Sequence, residues 1–306
     1  LEGRLLRAFA RVRAEIPAKD LRTFHEVSAE LRLLIAQGGD EASLRQQRDA
    51  LLQTLDEEFA FVARSNVGGE FLPPEQRKRL RDIGARRWQR TLDDRLGLSR
   101  DELQRMPPAA PALPVDEPLL ADRPEHRIPR TDAEVMPADN RWGFKMDVPE
   151  WLYNRGELHN LTISRGTLTD EDRYKINQHI VQTIKMLGEL PLPRHLREVP
   201  QIAGGHHEKM DGTGYPCRLD RSQLSAEARM MAIADIFEAL TAADRPYKSG
   251  KTLSEAIAIM AKMCKDQHID PELFELFLRA GVHRDYADRY LKPEQIDTVR
   301  IEDYLP

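Results

Sequence analysis

Apolar residues recur at helical spacing along most of this chain, and alternation at strand spacing is sparse, with no run longer than a few residues. Between positions 21 and 36, Phe24, Val27, Leu31 and Leu34 share one face. Gly38 and Gly39 stop that helix, and Asp40 can cap the next one. The second run places Leu44, Leu51, Leu52, Leu55, Phe59 and Val62 along one face. Together the stripes predict an N-terminal helical hairpin packed through its apolar seams, a structural arm that could also join two copies of the chain as a homodimer. His25 reads as a surface or packing residue of that arm. A further helix is expected over 74–95, with Arg77, Arg79, Arg81, Arg86, Arg87 and Arg90 among interspersed acids, which reads as a solvated face.

Positions 107–137 hold eight of the twenty prolines, the composition of an extended linker or irregular strap. Strong helix signals then return. Thr169 can cap a helix reaching about Leu190, with acids in its first turn. Ser225 can cap a helix through Met230 to Leu240. Lys251–Met263 is helical in pattern, and Pro271 stands at a first helical position before Glu272–Arg279. The fold class is therefore all-α. The organisation expected is a helical hairpin and arm over 1–105, a Pro-rich linker over 106–140, a principal domain over 141–285 and a tail over 286–306.

Composition narrows the class. The 306 residues are 41% hydrophobic and 32% charged, which is globular, and no run approaches the roughly 18 apolar residues of a membrane span. No signal-peptide pattern is present. Cys217 and Cys264 stand alone, with no partners at metal-ligand spacing, which favours a reducing, cytoplasmic setting. A formal charge of −5 argues against binding long nucleic acids, while leaving room for a small nucleotide.

The candidate chemistry lies in the C-terminal half. His206 and His207 are adjacent, and on a helix such neighbours point about 100° apart, so one can ligate a cation while the other faces a second cation or a phosphate. They open the run His206-His207-Glu208-Lys209-Met210-Asp211-Gly212-Thr213-Gly214-Tyr215-Pro216, whose glycines and proline demand a specially shaped loop. His179 falls on the face marked by Ile176, Ile180, Thr183 and Leu187 and is expected to point inward, as a core histidine or a ligand. Asp235 lies in the apolar run Met230–Phe237, so burial would oblige it to find a cation or a buried ion pair. Arg245 and Lys248 supply a planar fork and a point charge suited to phosphate oxygens, or a simple basic pair at a helix end.

These strings resemble the HD-GYP phosphodiesterases, a branch of the HD-superfamily phosphohydrolases that hydrolyses cyclic di-GMP. HHEKMDGTGYP is similar to the signature that names the family, ADIFEALTAADRPYK to its next motif, and HIDPELFELF to its closing helix. RGTLTDEDRYKINQHI resembles the segment supplying a middle histidine ligand, so the likeness runs over about 151–280. It implies an HD-superfamily helical bundle in which His179, His206, His207 and Asp235 are metal ligands and catalytic residues. By the same likeness, Arg245 and Lys248 approach the nucleotide phosphates, and Asp211, Gly212, Gly214, Tyr215 and Pro216 form the signature loop at the substrate. It further implies two or three divalent transition-metal ions, iron or manganese ahead of zinc. A cyclic dinucleotide is the implied substrate, with a diguanylate cyclase as a partner at the loop.

One departure stands out. The family's His-Asp dipeptide is absent from these 306 residues. Tyr153-Asn154-Arg155-Gly156-Glu157 stands roughly where it is expected, and His159-Asn160 is another substitute; neither Tyr nor Asn brings the charge that a bridging carboxylate would. Two explanations follow: a degenerate member, or a His-Asp half that precedes Leu1. Three functional readings remain. The first is a metal-dependent phosphodiesterase on cyclic di-GMP. The second is a non-catalytic module binding a cyclic dinucleotide or a signalling partner, and the third a phosphohydrolase acting on another cyclic nucleotide.

Overall fold

A computed structural model describes residues 40–137, 139–243 and 250–305. The expected helix over 21–36 and His25 lie outside them. The fold is all-α in class, with two two-stranded sheets among the described residues. They form two compact units: one runs to Glu134 and resumes at Pro149–Arg173, and the other joins Val135–Val148 to the residues from Tyr174 onward.

In the first unit, helix α1 (Glu41–Val67) starts where Asp40 accepts the Ala42 N–H at 3.2 Å. Leu55, Phe61 and Val62 are buried, whereas Leu51 from the same stripe is 39% exposed. Helix α2 (Pro74–Gly84) begins with proline in its first turn and buries Leu80 and Ile83 against Phe61, Val62, Leu120 and Leu161. The helix expected over 74–95 therefore ends eleven residues early, and Arg87–Arg90 form strand β1 instead. The reason is a charge partner distant in sequence. Strand β2 (Val115–Pro118), from the Pro-rich stretch, pairs antiparallel with β1 and sets Asp116 at 2.6 Å from Arg87 and Glu117 at 3.1 Å from Arg90. Arg123 bridges Glu117 and Asp94, so the buried Arg90–Glu117 pair is neutralised by a network. A short helix α3 (Arg100–Arg105) carries a Ser99–Glu102 capping box. Strand β3 (Arg127–Pro129) pairs with β4 (Trp151–Asn154), and helix α4 (Glu157–Leu161) follows.

Helix α5 (Asp170–Gly188) opens on Thr169, whose hydroxyl accepts the Asp172 N–H at 3.1 Å. The second unit then runs through α6 (Val199–Gly205), α7 (Ala226–Thr241), α8 (Leu253–Lys265), α9 (Pro271–Arg279) and α10 (Val282–Tyr290). Ser225 caps α7, and a Thr252–Glu255 capping box starts α8. Ile233, Phe237, Ala256, Ile257, Met260, Phe274 and Leu278 form the centre of the core. No helix among the described residues is long and apolar enough to cross a membrane.

Asp270 ties this unit together. Its side chain is fully buried; one oxygen caps α9 by accepting the Glu272 and Leu273 N–H groups, and the other accepts from Arg221 and Arg229. Removing the carboxylate would take the ion-pair partner from half-buried Arg229 and the acceptor from two helix N–H groups, while Arg221 keeps Glu272 at 3.0 Å. Asp270→Ala is therefore expected to lower the unfolding free energy by about 3–5 kcal/mol in a urea titration. Although burial pushes the carboxyl up, the amide donors and the arginines hold it below its ordinary value. A carboxyl depressed in the folded state stabilises above its unfolded pKa, about 3.9, and that contribution is lost as pH falls through the lower folded value. Wild type should lose stability in that acid window more steeply than Asp270→Ala.

Candidate metal centre

Three helices bring the candidate ligands together, and two glycines let them approach. A β-carbon at Gly204 would sit 2.6 Å from the Ile184 side chain of α5, and one at Gly205 would sit 3.0 Å from Ala228 of α7. The end of α6 thus nests between α5 and α7. His206 caps α6 in helical conformation, so His206 and His207 emerge beside His179 of α5. One ring nitrogen from each of the three histidines lies within 4.8 Å of the others. The adjacent pair does not diverge as helical geometry suggested: their ring centroids are 4.1 Å apart, because the helix has ended and both rings turn to the same point.

The tautomers are fixed by the backbone. His179 Nδ1 lies 2.7 Å from the Ile176 carbonyl oxygen, and His206 Nδ1 lies 2.7 Å from that of Ala203. A carbonyl only accepts, so both Nδ1 atoms carry hydrogen, and the neutral form of each ring is the tautomer with a bare Nε2. His207 Nε2 sits 3.1 Å from His179 Nε2, donating to it when no cation is present. Metal–imidazole bonds of about 2.0–2.1 Å put neighbouring ligand nitrogens roughly 3 Å apart, so the same spacing fits the edge of a coordination shell. Burial pushes the His207 imidazole down to about 4, with His206 adding to the effect and Asp235 opposing it. A neutral His207 is the ligating form. Three imidazole nitrogens suit a first-row transition-metal cation, and the Asp235 carboxylate is not among the atoms that converge within 4.8 Å.

The loop after the histidine pair is held from two directions. Glu208 is 2% exposed, and its carboxylate accepts the Cys217 N–H at 2.6 Å and the Leu219 N–H at 2.9 Å. Burial raises its pKa, and these amide donors oppose the rise. Gly214 passes so close that a β-carbon would lie 2.4 Å from Glu208 Cα and from Lys209 N. Tyr215 donates its N–H to the His207 carbonyl at 3.2 Å and stacks its ring on His207, centroids 4.9 Å apart. From the other side, the Lys145 N–H donates to Pro216 O at 2.7 Å, the Cys217 thiol to Trp142 O at 3.7 Å, and Arg218 pairs with Asp147 at 2.6 Å.

Two expectations need correction. His179 does not point inward: the buried side of α5 runs through Tyr174, Ile180 and Val181, which leaves Ile176 40% exposed and His179 on the exposed side. Asp235 is exposed as well, because Ala228, Ala232, Ile233 and Phe237 form the buried stripe of α7 and Asp235 lies on the opposite face. Exposure removes the obligation to pair a buried charge, yet the carboxylate still acts on His207 and Tyr215, whose hydroxyl is pushed up to about 12 chiefly by burial. Asp211 is exposed and accepts from the Thr213 N–H and hydroxyl; Gly212 has φ +74°, which a side chain would strain; Pro216 is buried. Arg245 and Lys248 lie outside the described residues. Asn154 and His159 belong to the first unit, where His159 Nε2 lies 3.3 Å from Glu171. Sequence reading missed Gly204, Gly205 and the clamp at Glu208, because close helix approach and the burial of one carboxylate depend on packing and leave no local pattern.

A family model described as the HD domain matches residues 114–273, more than half of the chain. The chain is 37% identical over 136 residues to a cyclic di-GMP phosphodiesterase of Pseudomonas aeruginosa, covering 44% of this chain and 30% of that protein. It is 40% identical over 149 residues to a 3'3'-cGAMP-specific phosphodiesterase of Vibrio cholerae, covering 45% and 33%, and 30% identical over 138 residues to a cyclic di-GMP phosphodiesterase of Thermotoga maritima, covering 45% and 36%. The chain thus spans about a third of the length of these curated relatives.

In the metal-free protein, histidine ¹⁵N shifts should show His207 neutral at pH 5.5, where an ordinary imidazole near 6.5 is mostly charged. Since the unfolded chain binds the extra proton between about 6.5 and 4, this residue withdraws stability as pH falls through that window and contributes no slope above it. Gly214→Ala meets backbone rather than a mobile side chain, so it should cost roughly 1–3 kcal/mol in urea unfolding.

Proposed function

We propose that this chain, which belongs to the HD-domain family, carries the metal- and nucleotide-binding part of a phosphodiesterase that hydrolyses cyclic di-GMP to the linear dinucleotide pGpG and on towards GMP. The observation that carries the reading is the convergence of His179, His206 and His207 within 4.8 Å, with two of the rings committed through Nδ1 to main-chain carbonyls. The similarity to phosphodiesterases of cyclic di-GMP and 3'3'-cGAMP supports the substrate class.

In this reading, His179, His206 and His207 hold divalent iron or manganese, with the Asp235 carboxylate as the oxygen ligand. Such cations, when bound, acidify water and polarise a phosphoryl oxygen. The residues of the chain do the rest. The Nδ1–H donations of His179 and His206 keep those two rings aimed. Tyr215 covers one face of His207 and keeps water from it. Arg245 and Lys248 meet the phosphate oxygens and stabilise the charge that develops there. Asp211, Gly212, Gly214 and Pro216 shape the loop at the nucleotide. Water adds across one phosphodiester P–O bond, its hydroxyl going to phosphorus and its proton to the leaving ribose oxygen. A cytoplasmic setting fits such a substrate, and a diguanylate cyclase is the partner class we assign to the loop.

The absence of a His-Asp dipeptide from the 306 residues favours a second reading for this chain taken by itself: it holds metal and a cyclic dinucleotide without cleaving it. Incubation with Mn²⁺ and cyclic di-GMP, followed by chromatography, separates the two. Release of pGpG that disappears with chelator supports the first; binding without product supports the second, and neither binding nor product defeats both. His206→Ala and His207→Ala are each expected to lower Mn²⁺ affinity at least 10-fold, and any hydrolysis by at least 100-fold.

A further inference from the structure

The Glu208 carboxylate has no place in the ligand set, yet it is the most deeply buried acid of the signature run, between His207 and Lys209 in sequence. We infer that Glu208 is a positioning residue: by holding the Cys217 and Leu219 amides it folds the loop back over its own start and fixes Tyr215 against His207.

The geometry closes a ring of constraints. The two Glu208 oxygens take one amide each, so the loop is pinned at two points two residues apart. That pinning sets Gly214 so close to the start of the loop that a β-carbon there would lie 2.4 Å from Glu208 Cα. Tyr215 then returns its N–H to the His207 carbonyl and lays its ring on the imidazole with 20° between the planes. His207 has no carbonyl partner of the kind that aims His179 and His206 among the bonds described; its Nε2 meets only His179. The stacked Tyr215 ring and the held carbonyl therefore aim it, and both depend on the carboxylate. Glutamine at this position keeps the length but offers one acceptor, and turns an NH₂ toward a second N–H, so one of the two bonds is lost.

The effect on metal rests on the reading that the three histidines hold a cation; the effect on the His207 ring does not. Wild type, Glu208→Gln and Glu208→Asp of the whole chain are compared by Mn²⁺ titration calorimetry and by ¹H–¹⁵N shifts of His207 without metal. Glu208→Gln is expected to weaken Mn²⁺ binding 10–100-fold, the range for residues that orient ligands, and to remove the upfield ring-current shift that Tyr215 imposes on His207. Glu208→Asp, which keeps both acceptors on a shorter stem, should recover part of both. If Glu208→Gln gives no cooperative melt, Glu208→Asp against wild type carries the test, with smaller changes in the same directions. A wild-type His207 shift in the variant, whatever the Mn²⁺ result, overturns the proposal. If wild type binds no Mn²⁺, the metal reading fails and the ring-current shift alone decides on Glu208.

Discussion

A main-chain carbonyl that takes the Nδ1 hydrogen of an imidazole decides where that ring's lone pair goes. His179 and His206 each make this bond to a carbonyl three residues earlier, a local bond that needs only a helical backbone before the histidine. With Nδ1 committed, Nε2 is the nitrogen left to meet a cation in the neutral ring. The rest of the candidate centre brings such rings to one place: glycines at the end of α6 for close approach, α5 and α7 as walls, and a loop folded back to hold the third ring.

Much of the fold was legible because it rests on local rules. Asp40, Ser225 and Pro271 start helices where side-chain chemistry required, and Thr169 sits one residue before its helix. The signature run was legible as well, since its residue types are unusual together. What could not be read was burial on a single helix. His179 and Asp235 both sit within apolar runs, but a helix of mixed apolar content has more than one plausible inner side, and packing chooses between them. On α5 the choice fell on Tyr174, Ile180 and Val181, and on α7 on Ala228, Ile233 and Phe237. Both candidate residues were left on the exposed side.

Arg87 and Arg90 illustrate a second kind of blindness. Arginine is a good helix former, and the run after α2 continued the helical composition. Its acidic partners stand 27 and 29 residues later, in a stretch marked by proline, and only pairing across β1 and β2 brings Asp116 and Glu117 to them. Charge complementarity between segments distant in sequence overrode a local preference worth a few tenths of a kcal/mol per residue.

The brace from Trp142, Lys145 and Asp147 onto Pro216, Cys217 and Arg218 has an evolutionary corollary. The signature run is not a portable cassette. Two of the three bonds use main-chain atoms of Lys145 and Trp142, so the brace tolerates wide variation in side-chain identity while requiring the segment's path and length. Drift between homologues should therefore erase any visible motif over 142–147, while insertions and crossover points there stay rare.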